Sequence, residues 1–191
     1  MTKIDKEIIL KEGAMLYAKS GFEEFSIRRL AENIGITHSV IYHYFKNEET
    51  LLREIFIYIN HALGIKRASL PHVASASEML KQRIAFQIDN SQDVVTVLKY
   101  YISHRLQFKR TRGGFVPDKS ALHIEEVLDL GNKTGEFHIT NLHDDAKVIT
   151  HAINGFLLEY FPHVPKGKEK NDLVERIYRF LIKSLRGGDT K

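Results

Sequence analysis

The stretch Ser26-Ile27-Arg28-Arg29-Leu30-Ala31-Glu32-Asn33-Ile34-Gly35-Ile36-Thr37-His38-Ser39-Val40-Ile41-Tyr42-His43-Tyr44-Phe45 decides how this chain folds. Ser26 is a natural N-cap, since its hydroxyl can accept an amide hydrogen left free in the first turn of a helix. It predicts a short helix over 27–34, ended by Gly35. The capping box is incomplete, because Arg29 stands three residues on, where Glu or Gln would close it. Thr37 caps a second short helix over 38–44. Two short helices joined by a turn containing glycine have the geometry of a helix-turn-helix. Glycine at that point accepts a left-handed or bridging backbone that other residues resist. Leu30, Ala31 and Ile34 then meet Ile36, Val40 and Ile41 between the helices, with Ala31 small enough for a close crossing. Thr37, His38, Ser39, Tyr42 and His43 are left on the outer face.

That face carries no acid from Gly35 to Asn47, while hydroxyls, imidazoles and Lys46 crowd together. Such groups donate to phosphate oxygens and reach base edges in a major groove, and a helix starting at Thr37 adds backbone donors for phosphate. On composition alone the face fits two readings equally: a nucleic-acid surface, or a small helix whose Tyr and His rings pack on neighbours. Tyr42 serves either, since its ring can pack while its hydroxyl reaches phosphate. Phe45 reads as core.

Working outward, helical periodicity continues almost without interruption. A first helix is expected over about 3–20, stopped by Gly21, and Asn47 caps a long one over 48–69 that opens with Glu48 and Glu49. Beyond Pro71, Ser77 is expected to cap a helix over 78–90, followed by 92–112, which Gly113 and Gly114 end. Pro117-Asp118 opens a helix to Lys133, Asn141 begins one reaching Phe161, and Asn171 or Asp172 starts the last. The fold class is therefore all-α with about nine helices. The 191 residues are 43% hydrophobic and 27% charged, the balance of a globular protein. A formal charge of +4 is compatible with nucleic acid as a partner without requiring it. No run approaches the roughly 20 apolar residues of a membrane span, and acids interrupt the N-terminus, so no secretory signal is read there. The absence of cysteine excludes disulfides and thiolate chemistry and favours a cytoplasmic location. There is no HExxH, GxSxG or P-loop pattern, so no enzyme activity is expected and no cofactor.

Gly21-Phe22, Ser26-Ile27-Arg28, Leu30-Ala31, Gly35-Ile36-Thr37 and Ile41-Tyr42-His43-Tyr44-Phe45-Lys46-Asn47, followed by Glu49 and Leu51-Leu52, resemble the N-terminal signature of the tetracycline-repressor (TetR) family. The resemblance covers about residues 9–56. It implies an all-α homodimer in which residues 1–47 bind DNA through three helices and residues 48–191 form a larger helical ligand-binding and dimerisation domain, with 48–69 as connector. Carried over by position, Thr37, His38, Ser39 and His43 approach bases or nearby phosphates, Tyr42, Tyr44 and Lys46 hold the DNA backbone, and Arg28 and Ser26 touch phosphate. The expected partners are double-stranded operator DNA, palindromic to match a two-fold dimer, and a small-molecule effector that releases a repressor. Three departures stand out. Glu48 occupies a position where relatives often carry a phosphate-binding Lys. Glu12 and Gly13 replace small alanines, and Phe25 replaces Thr.

In the C-terminal part, the stripe on 142–161 is too wide for one-sided packing, and the resemblance pairs this helix and 171–186 with their symmetry mates; burial within one subunit fits the periodicity as well. Candidate effector-lining residues are Phe86, Tyr100, Tyr101, His104, Phe108, His123, Phe156 and Tyr160, most of which also read as ordinary core, with His104 and His123 the polar exceptions. His123 and Glu126, three residues apart on one helix, leave a metal-responsive regulator as an alternative, and Glu48 leaves a helical ligand-binding protein without DNA affinity as another. No metal site is assigned.

Overall fold

The computed structural model describes the backbone of residues 5–108 and 120–185, with their side chains apart from those of 22–23, 103–108, 120 and 184–185. Among the described residues every regular element is a helix: α1 (Lys6–Glu24), α2 (Ile27–Ile34), α3 (His38–Tyr44), α4 (Glu48–Ala68), α5 (Ala76–Asp89), α6 (Ser91–Phe108), α7 (Ser120–Thr134), α8 (Leu142–Tyr160) and α9 (Gly167–Leu185). Among the described residues the expected all-α chain of about nine helices is what folds. The expected glycine stop at 113–114 and the helix start at Pro117-Asp118 lie outside the described residues, as do the side chains of His104 and Phe108. No helix of the described residues is long and apolar enough to cross a membrane.

The helices form two compact units, one from residues 1–69 and 92–113, the other from 70–91 and 114–191. In the first unit α1 packs on α4 and α2, and α2 on α3. Ile9, Tyr17, Leu30, Ile41, Phe45, Leu51 and Ile55 are almost wholly buried there. Gly13, the first-helix departure, lies where a methyl group would meet Ile55 Cδ1 at 2.5 Å, so its lack of a side chain lets α1 and α4 close up. Phe25, another departure, is buried with its ring 5.8 Å from that of Tyr17. Gly21 breaks the helical path with φ 74° but does not end α1, which resumes to Glu24. α6 completes this unit, its Tyr100 ring stacked on Phe56 at 4.8 Å and edge-on to Tyr17 at 6.3 Å.

In the second unit α7 packs on α8, and α5 packs on α7, α8 and α9. Two helix starts differ from expectation. The cap of α5 is Ser75, whose side chain accepts from the Glu78 amide, and not Ser77. The reason is a carboxylate from far along the chain. Glu136 accepts from the Ala76 amide at 2.8 Å, the Ser77 amide at 3.0 Å and the Ser75 hydroxyl at 2.9 Å, satisfying donors of an earlier first turn. α9 likewise begins at Gly167, ahead of Asn171, with Glu169 in its first turn and Lys170 bonded to Asp89.

Burial pushes the Glu136 carboxyl up, but hydrogen bonds from Ser77, the Ala76 amide and Ser75 outweigh it and bring the pKa down to about 2 from 4.5. A carboxyl with a depressed folded-state pKa contributes stability that is present above its unfolded value and lost as pH falls through the folded one. Denaturant midpoints are therefore expected to fall between pH 4.5 and about 2. In Glu136→Gln much of that slope disappears; an unchanged slope would show that the carboxylate is not responsible.

Candidate nucleic-acid interface

The interface is built from α2, the turn after it, and α3. The Ser26 side chain accepts from the Arg29 amide at 3.2 Å, so the serine caps as expected despite the incomplete box. The missing carboxylate arrives from elsewhere: Glu48, in the first turn of α4, accepts from the Ile27 amide at 3.1 Å. Its charge thus faces the positive end of the α2 dipole, a favourable place for an acid. The departure at 48 is a long-range cap, and it ties the start of α4 to the start of α2. Removing it by Glu48→Ala is expected to cost about 1 kcal/mol of unfolding free energy, while Glu48→Gln keeps an acceptor and most of the stability. Equal loss in both variants, measured by urea denaturation, would refute the capping role.

α2 ends at Gly35, whose φ of 77° and ψ of 35° lie in the left-handed region that glycine enters without penalty. The Gly35 amide donates to Ala31 O at 2.9 Å and Glu32 O at 3.2 Å, and the Ile36 amide to Ala31 O at 3.0 Å. This doubly bonded ending satisfies the last carbonyls of α2 and turns the chain sharply into α3. Leu30, Ala31 and Ile41 are buried between the helices, while Ile34, Ile36 and Val40 are partly buried.

α3 differs in one respect from expectation. Thr37 occupies the N-cap position in an extended conformation, but its side chain makes no capping bond. Its hydroxyl is exposed beside those of Ser39 and Tyr42, with His38, His43 and Lys46 also exposed and Tyr44 half-buried. The His38 ring meets Tyr42 edge-on at 6.2 Å, and His43 meets Tyr44 edge-on at 5.3 Å, which orients the donors of this face. Phe45 is fully buried. On α2, Ser26 is partly buried, and Arg28 reaches solvent with an i, i+4 ion pair to Glu32 at 3.0 Å. An exposed pair of this kind contributes little, so the guanidinium is easily exchanged to a phosphate. Arg29 instead holds the end of α1 through Glu24 at 2.8 Å. The nine residues named from the sequence for this face therefore lie along α2, the turn and α3, within a span of 26–46.

The sequence profile described as "Bacterial regulatory proteins, tetR family" matches residues 9–55, which takes in α1, α2, α3 and the opening of α4. Over these residues the chain is similar to the tetR family. The chain is 29% identical over 191 residues to the "Uncharacterized HTH-type transcriptional regulator YerO" of Bacillus subtilis, covering 94% of this chain and 63% of that relative. Over 70 residues it is 34% identical to the "Tetracycline repressor protein class C" of Escherichia coli, covering 35% of this chain and 32% of that protein. It thus spans less than two thirds of the length of both relatives. Among solved structures, the tetR-family regulator PfmR of Thermus thermophilus superposes with a TM-score of 0.67 at 22% identity, covering 94% of this chain and 98% of that one. A putative tetR-family regulator from Rhodococcus superposes at 0.72 with 18% identity, covering 92% and 97%. FadR of Bacillus subtilis, solved in complex with stearoyl-CoA, superposes at 0.68 with 16% identity, covering 95% and 100%. At these identities the likeness establishes the fold across nearly the whole chain.

The residues named for an effector fall in both units. In the first, Tyr100 is buried in its aromatic stack and Tyr101 lies at the solvent side of α6. Burial, then neighbouring Tyr17 and Glu49, push the Tyr100 phenol up to about 12, against a smaller opposing effect of Arg53. Beside it, Leu52, Ile55, Phe56, Ile59 and Thr96 line an apolar crevice no larger than a water molecule. In the second unit Phe86 is buried, Phe156 is half-buried, and the Tyr160 hydroxyl accepts from Arg176 at 2.6 Å. His123 Nδ1 lies 3.4 Å from the Glu126 carboxylate. Among the described residues no three His, Asp or Glu side chains come together as a metal cage.

Proposed function

We propose that this chain is a DNA-binding transcriptional regulator of the cytoplasm, a repressor rather than an enzyme, which grips a palindromic operator as a homodimer and is released by a small molecule. The observation that carries this reading is the outer face of α3, free of acids, with the Thr37 hydroxyl not engaged in capping and Tyr42, His43 and Lys46 exposed beside it. Relatives named as transcriptional regulators support it. In this reading residues 1–47 bind DNA and 48–191 sense the effector and dimerise, with α4 as connector. The stack of Tyr100 on Phe56 supports that connector role, because it couples α6 to α4 within one packed unit.

Dimerisation is assigned to α8 and α9, where Val148, Leu158 and Phe180 are exposed at 65%, 44% and 60%. Such a dimer presents two copies of α3 about 34 Å apart, one turn of DNA. An effector that weakens operator binding about 100-fold must distinguish the two states by about 2.7 kcal/mol. FadR was solved with stearoyl-CoA bound, which supports a ligand site in this fold.

Fluorescence anisotropy with DNA from the chain's own upstream region tests the reading; equal affinity for that DNA and a scrambled duplex would overturn it. Lys46→Ala is expected to weaken binding to all sequences and to lower the salt slope by about 1. His43→Ala is expected to relax preference at one base pair by about 1–3 kcal/mol. An unaltered preference removes His43 from base reading.

A further inference from the structure

Several charged side chains of the second unit have close partners: Lys81 pairs with Glu175, Lys133 with Asp129 and Lys170 with Asp89. Arg83 on α5 is different. Its Nε and Nη1 are buried without a hydrogen-bond partner. One turn further along the same face, Gln87 is 6% exposed and its Oε1 is also without a partner. On α8, which packs against α5 and α7, Thr150 is 2% exposed with its hydroxyl unpaired. Glu126 on α7 acts on Arg83 only through its field. Its side chain is 65% exposed and is engaged by His123. Burial lowers the pKa of Arg83, yet a guanidinium remains protonated in a protein at any working pH. The charge therefore persists with two of its three nitrogens buried and without an acceptor, a costly arrangement.

We propose that Arg83 is the acid-binding point of an effector site among α5, α7 and α8, and that it takes a small organic carboxylate. This rests on the second unit being the sensing part of the regulator. The carboxylate accepts from the guanidinium nitrogens, whose planar donors match it. The Gln87 carbonyl accepts from a hydroxyl or amine on the ligand, and the Thr150 hydroxyl is left to donate to either.

The guanidinium can be followed directly, as the Arg83 Nε–H resonance of the DNA-free full-length chain titrated with acetate, benzoate and 4-hydroxybenzoate. Saturable shifts are expected with the acids and none with acetamide or benzamide. Arg83→Met should abolish that saturable response and, by removing an uncompensated charge, raise Tm by about 2–4 °C. Arg83→Lys, which keeps the charge but not the fork of donors, should bind benzoate at least about 10-fold more weakly. Shifts that do not saturate, or that the amides reproduce, overturn the proposal, as does a lower Tm in Arg83→Met. Because no DNA is present, loss of operator binding in the anisotropy assay would overturn the regulatory reading and leave this carboxylate site standing.

Discussion

Phe45→Ala is expected to lose about 3–5 kcal/mol of stability and specific DNA binding with it. The ring is fully buried at the end of α3, with Ile41, Leu30 and Leu51 equally buried in the same unit. The Phe45 amide closes α3 on Ile41 O at 2.9 Å, and the Lys6 ammonium lies 5.4 Å from the ring centroid. α3 has only 7 residues, too few to hold a helix unaided, so its orientation depends on this anchorage. Urea denaturation followed by circular dichroism measures the first effect and anisotropy the second. Phe45→Leu keeps much of the buried volume and should retain binding. If Phe45→Ala kept its urea midpoint and still lost affinity, the ring would be touching DNA rather than supporting the helix.

How much of this was legible in the sequence follows from the range of each interaction. α2, α3 and the start of α4 have the expected bounds because their signals are local: Ser26 before an apolar pattern, Gly35 after it, and Asn47 capping α4 by accepting from the Thr50 amide at 2.8 Å. The shift of the α5 cap from Ser77 to Ser75 was not legible, because the deciding carboxylate lies 60 residues away at Glu136. Glu48 is the same case at 21 residues' separation. Read locally it is an acid well placed in the first turn of α4, and the family resemblance sets it where relatives often carry a lysine, although the unfilled box at Arg29 signals that α2 lacks a carboxylate. The outer face of α3 could be named because alternation between buried and exposed positions selects it. The effector residues could not be singled out, since an aromatic at helical spacing reads as core and as lining alike. Tyr100, stacked on Phe56, illustrates the ambiguity. Arg83 passed unremarked because an arginine on a helix is ordinarily a solvated charge, and only packing reveals its buried nitrogens.

Gly131→Ala is expected to destabilise the second unit by about 3 kcal/mol, against the usual direction for this substitution. In a helix interior, alanine is ordinarily favoured over glycine by about 1 kcal/mol. Here the Phe137 ring folds back over α7, and a methyl on Gly131 would overlap Phe137 Cδ2 and lie 2.6 Å from Cγ. The ring is 1% exposed. It is also held by its backbone, since the Glu136 and Phe137 amides both donate to Gly131 O, at 2.8 and 3.1 Å. Neither partner can move away cheaply, so the steric cost exceeds the gain in helix propensity. The same turn carries Glu136 to the start of α5, so displacing it also disturbs the bonds that begin that helix. A double-mutant cycle separates these effects. Phe137→Ala alone should cost about 3–5 kcal/mol, and adding Gly131→Ala to it should cost nothing further or restore about 1 kcal/mol. If the second substitution costs as much in that background as in the wild type, the ring is not what excludes a side chain at 131.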